Sequence, residues 1–205
     1  AEFGGGRVTI VPGGAAFADT VRQAQVHWGF DDLAAHNMAV LAMVQTAQML
    51  HALEPRLELA TQEADIRNTL HAGRLALWQP YSALRDAPDA DFASWEVSSD
   101  SLALWLARRM NAERLVLVKS CVIDPQHSLH QMCEAGVLDA RFSAWAQDAA
   151  FPIEVLNSQD LARCRDALLG GALTEPAVHH IGRVPPPRAR RPIPATRRPR
   201  GGRAS

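Results

Sequence analysis

The chain has 205 residues, of which 47% are apolar and 21% charged, with 13 Gly, 13 Pro and 3 Cys. That composition supplies a core for one full domain and excludes a disordered, collagen-like or disulfide-stapled chain. The formal net charge of −1 hides an asymmetry: residues 183–205 hold eight Arg, six Pro and no acid, leaving 13 basic against 22 acidic residues over 1–182.

Residues 7–12 (Arg-Val-Thr-Ile-Val-Pro) read as a short β-branched strand, stopped by Pro12-Gly13-Gly14. A helix is predicted from Ala15 to about Trp28, broken by Gly29-Phe30-Asp31-Asp32. Asp31 or Asp32 caps a long helix to about Leu53, with Met38, Leu41, Ala42, Gln45 and Met49 on one side. Pro55 opens a further helix to about His71, and Leu75-Ala76-Leu77-Trp78 is a second strand. Residues 82–94 are polar and carry Pro88, Asp86, Asp89 and Asp91, the composition of a loop. Ser98 or Ser99 caps a helix through about Asn111. Leu115-Val116-Leu117-Val118 is a wholly apolar strand of the kind found inside parallel sheets. A helix over 139–149, a strand over 152–156 and a helix from Ser158 to Gly170-Gly171 complete the pattern.

Strands alternating with helices predict an α/β fold, a three-layer αβα sandwich around a largely parallel sheet. The expected organisation is one domain over 1–182 and an Arg/Pro-rich tail over 183–205, which has almost nothing to bury and should be disordered. Contact with nucleic acid is expected only nonspecifically, through that tail. No run of 18 apolar residues occurs, so no membrane segment is expected. Cys121, Cys133 and Cys164 form no C-x-x-C pair and suit reduced thiols in a cytoplasm. His127-x-x-His130 lacks flanking ligands, so no metal site of the protein's own is expected.

Three segments could carry chemistry. Gly13-Gly14, directly after a strand and before a helix, can aim backbone N–H groups and the helix's positive end at an anion; the same pair also serves as ordinary turn punctuation. Arg22, two turns on, faces either that anion or solvent, and His36 could look into the same cleft. Ser98, Ser99 and Asp100 stand at a helix start, where they could meet a substrate or merely cap the helix. Lys119, the only lysine, ends the apolar strand; it suits a nucleotide phosphate, or simply surfaces there.

In the forms VPGGAAFADTVR, AAHNMAVLAM, SSDSLALWLA and RLVLVKS, these segments together resemble the amino acid kinase superfamily over about residues 7–156. HWGFDD, AAHNMAVLAM and SDSLALWLA resemble most the aminomethylfuran phosphate kinases of methanofuran biosynthesis. The resemblance implies an ATP-dependent phosphotransferase with Mg²⁺ bridging the ATP phosphates, a small-molecule substrate, conversion of a phosphomonoester to a diphosphate, and a homo-oligomer. It implies that Gly13 and Gly14 hold the transferring phosphoryl group and that Asp100 orients the catalytic groups around it. Ala15, Arg22, His36, Ser98 and Ser99 fall on the acceptor side, and Lys119, Ser120 and the loop through Asp124 on the nucleotide side. Two departures accompany it. The superfamily opens on a Lys-x-Gly-Gly-Ser strand, whereas this sequence opens Ala-Glu-Phe-Gly-Gly-Gly-Arg and reads as truncated before that strand; Lys119, from another strand, is not expected to replace the missing lysine. The third glycine of the usual turn is Ala15, which adds a Cβ where a phosphate would approach. A non-catalytic nucleotide- or oxyanion-binding or storage protein on the same fold, or an inactive truncated kinase, are the alternatives.

Overall fold

The computed structural model describes residues 4–81 and 95–169. The loop read at 82–94, the tail read from 183 and the helix end read at Gly170-Gly171 lie outside the described residues. Strand β1 (Thr9–Ile10) is shorter than the six residues predicted, and Val11 to Gly14 lead from it into helix α1 (Ala15–Trp28). Gly29 ends α1 in the left-handed region, φ +69°, with its N–H on the Gln25 carbonyl at 2.8 Å. Asp31 caps helix α2 (Asp32–Leu53) by accepting the Ala34 N–H at 2.7 Å.

The helix read from Pro55 is corrected. Leu57–Ala60 forms strand β2, and helix α3 (Glu63–His71) starts only after it. Leu, Glu and Ala favour helix locally, but here the segment pairs in parallel with strand β3 (Leu75–Trp78), Leu57 opposite Leu75 through Ala60 opposite Trp78. The Asp65 carboxylate accepts the N–H groups of Thr61 and Gln62 at 3.1 and 2.9 Å, which fixes where α3 starts.

Helix α4 (Ser99–Arg109) leads to strand β4 (Leu115–Lys119), then to helix α5 (Leu129–Glu134), which the sequence reading missed. Its signal was present: Ser128 and Gln131 make a reciprocal capping box, with the Ser128 N–H on Gln131 Oε1 at 2.8 Å. The helix predicted over 139–149 is confined to α6 (Phe142–Ala146). Strand β5 (Ile153–Asn157) follows, and Asp160, not Ser158, caps helix α7 (Leu161–Leu169) by accepting the Arg163 N–H.

All strand pairs among the described residues are parallel: β1-β3-β2 form one sheet, with β3 central, and β4-β5 pair as a second. Helices and parallel strands thus build the α/β sandwich expected. Helix α4 joins the two sheets. Leu102 and Leu106 pack with Val40, Ala60, Ala76 and Trp78 of the first sheet's core, whereas Ala103, Leu104 and Ala107 pack with Leu115, Leu117, Ile153 and Val155 of the second. Val11, just beyond β1, touches both cores. Among the described residues no helix is long and apolar enough to cross a membrane.

Because α4 is shared, the two sheets should unfold together. Leu102→Ala and Leu104→Ala, on opposite flanks of α4, are each expected to cost about 2–5 kcal/mol within a single calorimetric transition. Two resolved transitions, one moved by each substitution, would show that the sheets melt independently.

Candidate functional site

The strand ends place the site. Gly13 and Gly14 follow β1, Lys119 ends β4, and the first turn of α4 lies between them. A Cβ built on Gly13 would lie 3.5 Å from Ser99 Oγ, so the glycine turn abuts the start of α4. One residue on, the Asp100 carboxylate takes the Lys119 ammonium at 2.7 Å, with Asp100 buried and Lys119 largely so. Asp100 and Lys119, expected at the phosphoryl group and on the nucleotide side, thus form one ion pair.

Burial pushes the Asp100 carboxyl above its ordinary range, and the negative charge of Asp139 pushes it further. The Lys119 ammonium and the Asp139 backbone N–H pull it the other way. Asp139 is the functional residue that sequence reasoning missed. Its carboxylate accepts the Ser98 N–H at 2.7 Å, the Ser101 N–H at 2.9 Å and the Ser98 hydroxyl. In an ordinary capping box two residues of the helix itself take these bonds; here one carboxylate from 38 residues away, measured from Ser101, takes them. No local pattern could have revealed a cap so remote in sequence.

The two helix starts at the site therefore differ. That of α4 is neutralised by Asp139. That of α1 has Gly14 as its N-cap, with no capping side chain and no acidic residue in the first turn. Backbone N–H groups and the positive helix end remain there for an anion. Ala15 opens α1 at φ +47°, in the left-handed region where its Cβ is strained.

The remaining residues from the sequence have surroundings of their own. Arg22 pairs with Asp19 at 3.1 Å and lies over the Trp95 ring, 4.5 Å from its centroid, while Trp95 Nε1–H donates to Gln25 Oε1 at 2.6 Å. His36 is buried on α2, and desolvation holds its imidazole below the ordinary range, favouring the neutral form. Ser120 follows Lys119, and Asp124 Oδ1 accepts the Gln126 N–H at 2.9 Å, shaping the loop rather than reaching the pair. Ser98 is engaged by Asp139, which leaves Ser99 as the hydroxyl facing the glycine turn.

Substitutions at residues 13–15 separate packing from ligand contact. A methyl on Gly13 meets only Ser99 Oγ at ordinary contact distance, so Gly13→Ala should leave stability within about 0.5 kcal/mol while obstructing an anion held there. A Cβ on Gly14 would lie 2.5 Å from Ala18 Cβ, so Gly14→Ala should cost about 1–3 kcal/mol. Ala15→Gly removes the left-handed strain and should stabilise by up to about 1 kcal/mol. Chemical denaturation of the three variants checks all three signs.

None of the curated proteins matches the chain. Residues 2–121, more than half of the sequence, match the amino acid kinase family. The matched span takes in the glycine turn, the start of α4 and Lys119, and stops short of Asp139. The chain belongs to the amino acid kinase family.

Proposed function

We propose that the chain transfers the terminal phosphoryl group of ATP to a small metabolite, the acceptor being a phosphomonoester that becomes a diphosphate as ADP leaves. The observation that carries this reading is the meeting of three groups near the strand ends: the uncapped glycine turn, Ser99, and the Asp100–Lys119 pair. Phosphoryl transfer asks little covalent work of a protein and depends on positioning and on charge stabilisation. The N–H groups of Gly13 and Gly14 would bind the phosphoryl oxygens. The Lys119 ammonium, held in place by Asp100, would face the charge that spreads over them. Ser120 and the loop to Asp124 would lie along the nucleotide, and Arg22 and Ser99 along the acceptor.

Among the described residues no group of three or more His, Cys, Asp or Glu side chains could hold a metal. That donor set fits a Mg²⁺ carried chiefly by nucleotide phosphates and water, with Asp100 beside it. When bound, Mg²⁺ would neutralise phosphate charge. A second reading, nucleotide or oxyanion binding without turnover, is favoured by Ala15, whose strained methyl occupies the place of a glycine.

Millimolar ATP with Mg²⁺ should raise the melting temperature, by the equivalent of about 2.7 kcal/mol at a hundredfold excess over Kd. ADP release with candidate phosphomonoesters should fall on the order of 100-fold or more in Asp100→Asn and in Lys119→Met. ATP binding without ADP release would favour the second reading, and turnover unchanged in Asp100→Asn would remove Asp100 from the site.

The outward face of α2 supports a homo-oligomer, with a second copy of this chain as the occupant. Between Asp32 and Glu54 the helix has no Asp, Glu, Lys or Arg, and Met38, Leu41, Met49 and Leu53 are 38–76% exposed. The sequence reading placed Met38, Leu41, Ala42, Gln45 and Met49 on one side; that side faces outward except at Ala42, which is buried. The face is palindromic about Gln45: Leu41 and Met49 lie four residues away, Met38 and Ala52 seven, and Asn37 and Leu53 eight. Two copies of α2 crossing antiparallel at Gln45 would place Leu41 of one against Met49 of the other. Sedimentation should show a dimer that Leu41→Glu dissociates, and Gln45→Cys should cross-link across the two-fold axis. A monomer at high micromolar concentration, or a dimer indifferent to Leu41→Glu, would exclude this face.

A further inference from the structure

We propose that Asp139 is the positioning residue of the Asp100–Lys119 pair, fixing the place of Asp100 from outside the residues 2–121 that match the family. The Asp139 carboxylate holds the first turn of α4 through Ser98 and Ser101, which lie on either side of Asp100 in the chain. The Asp100 carboxylate is thus gripped by the Lys119 ammonium, and the turn that carries it by Asp139. A lysine side chain has four rotatable bonds and can follow a carboxylate that moves, so the place of Asp100 depends on the cap that fixes its turn.

The charge arrangement supports more than a cap. Asp139 places a second negative charge beside a buried carboxylate, which costs stability that a neutral cap such as Asn or Ser would not cost. The groups that face Asp100 are Lys119 of β4, Asp139 ahead of α6 and the Cys133 thiol of α5, whose own ionisation is disfavoured by burial first and by both aspartates last. Helix α6 itself, Phe142–Ala146, is uncharged.

The role in catalysis rests on the kinase reading, but the positioning is measurable without a substrate. The full chain, Asp139→Asn and Asp139→Ala would be compared by carboxyl-carbon NMR titration of Asp100, assigned with Asp100→Asn, and by amide hydrogen exchange at Ser101. Asp139→Asn keeps one acceptor oxygen and removes the charge, so Asp100 should titrate at lower pH with Ser101 still protected. Asp139→Ala removes the acceptors as well, and exchange at Ser101 should rise tenfold or more. If Asp139→Ala does not fold, the Asn variant decides alone. Where ADP release is measurable, the acid limb of its pH profile should move with the Asp100 titration in Asp139→Asn. An Asp100 titration unmoved in Asp139→Asn would overturn the proposal, whether or not any variant turns over ATP; absence of ADP release in all variants, with the titration shifted, would overturn only the kinase reading.

Discussion

Helix α4 is buried on both flanks, and the polar start of a buried helix must find its partners inside the protein. Its first-turn N–H groups cannot all turn to water, because Leu102, Leu104 and Leu106 hold the helix between two sheets. An unmet buried N–H costs on the order of 1–3 kcal/mol, so the chain returns a carboxylate to the spot. Asp139 meets that need, and its position determines where Asp100 and Lys119 can lie. The Asp100–Lys119–Asp139 cluster is in this sense a consequence of packing at the joint between the sheets.

The two helix starts at the site show how similar local geometry is put to different uses. Both present a positive end. At α4 a fixed side-chain charge occupies that end. At α1 glycine and alanine leave it open, with no side chain competing for the backbone donors. Discrimination between a capped and an uncapped terminus decides which end is available to an anionic ligand. Gly14 also has a packing reason to be glycine, since a Cβ there would press on Ala18 and approach Ala42 at 3.4 Å, whereas Gly13 has open contact toward Ser99. The two glycines of one turn thus answer to different constraints.

Lys119 illustrates how a charge acquires meaning from its surroundings. As the last residue of an apolar parallel strand, it could simply have reached solvent. Pairing with a buried carboxylate instead draws its ammonium inward, into an environment of lower polarity than water where fixed charges act more strongly. A buried pair of this kind gives at best a small net stabilisation.

Much of this was legible in the sequence. The β-branched run before Pro12, the Gly29 stop, the Asp31 cap and the apolar 115–118 strand each carry a local physical signal, and each lies where it was read. So do the segments that mark the family, because a glycine turn and a Ser-Ser-Asp helix start depend on nearest neighbours. Where tertiary contacts compete with local preference, the sequence misled or was silent. Residues 57–60 have helical composition, yet the unpaired edge of β3 recruits them as a strand, since ladder hydrogen bonds and burial outweigh a few tenths of a kcal/mol of propensity per residue. The outward face of α2 cannot be told from an inward one by periodicity, which locates a stripe but not the side on which the sheet lies. Asp139 contacts a turn 38 residues before it, and nothing adjacent to it in the chain states that purpose. Local chemistry determined the elements and the candidate residues; only the folded chain, by closing distances that sequence leaves free, brought Asp100, Lys119 and Asp139 into one cluster.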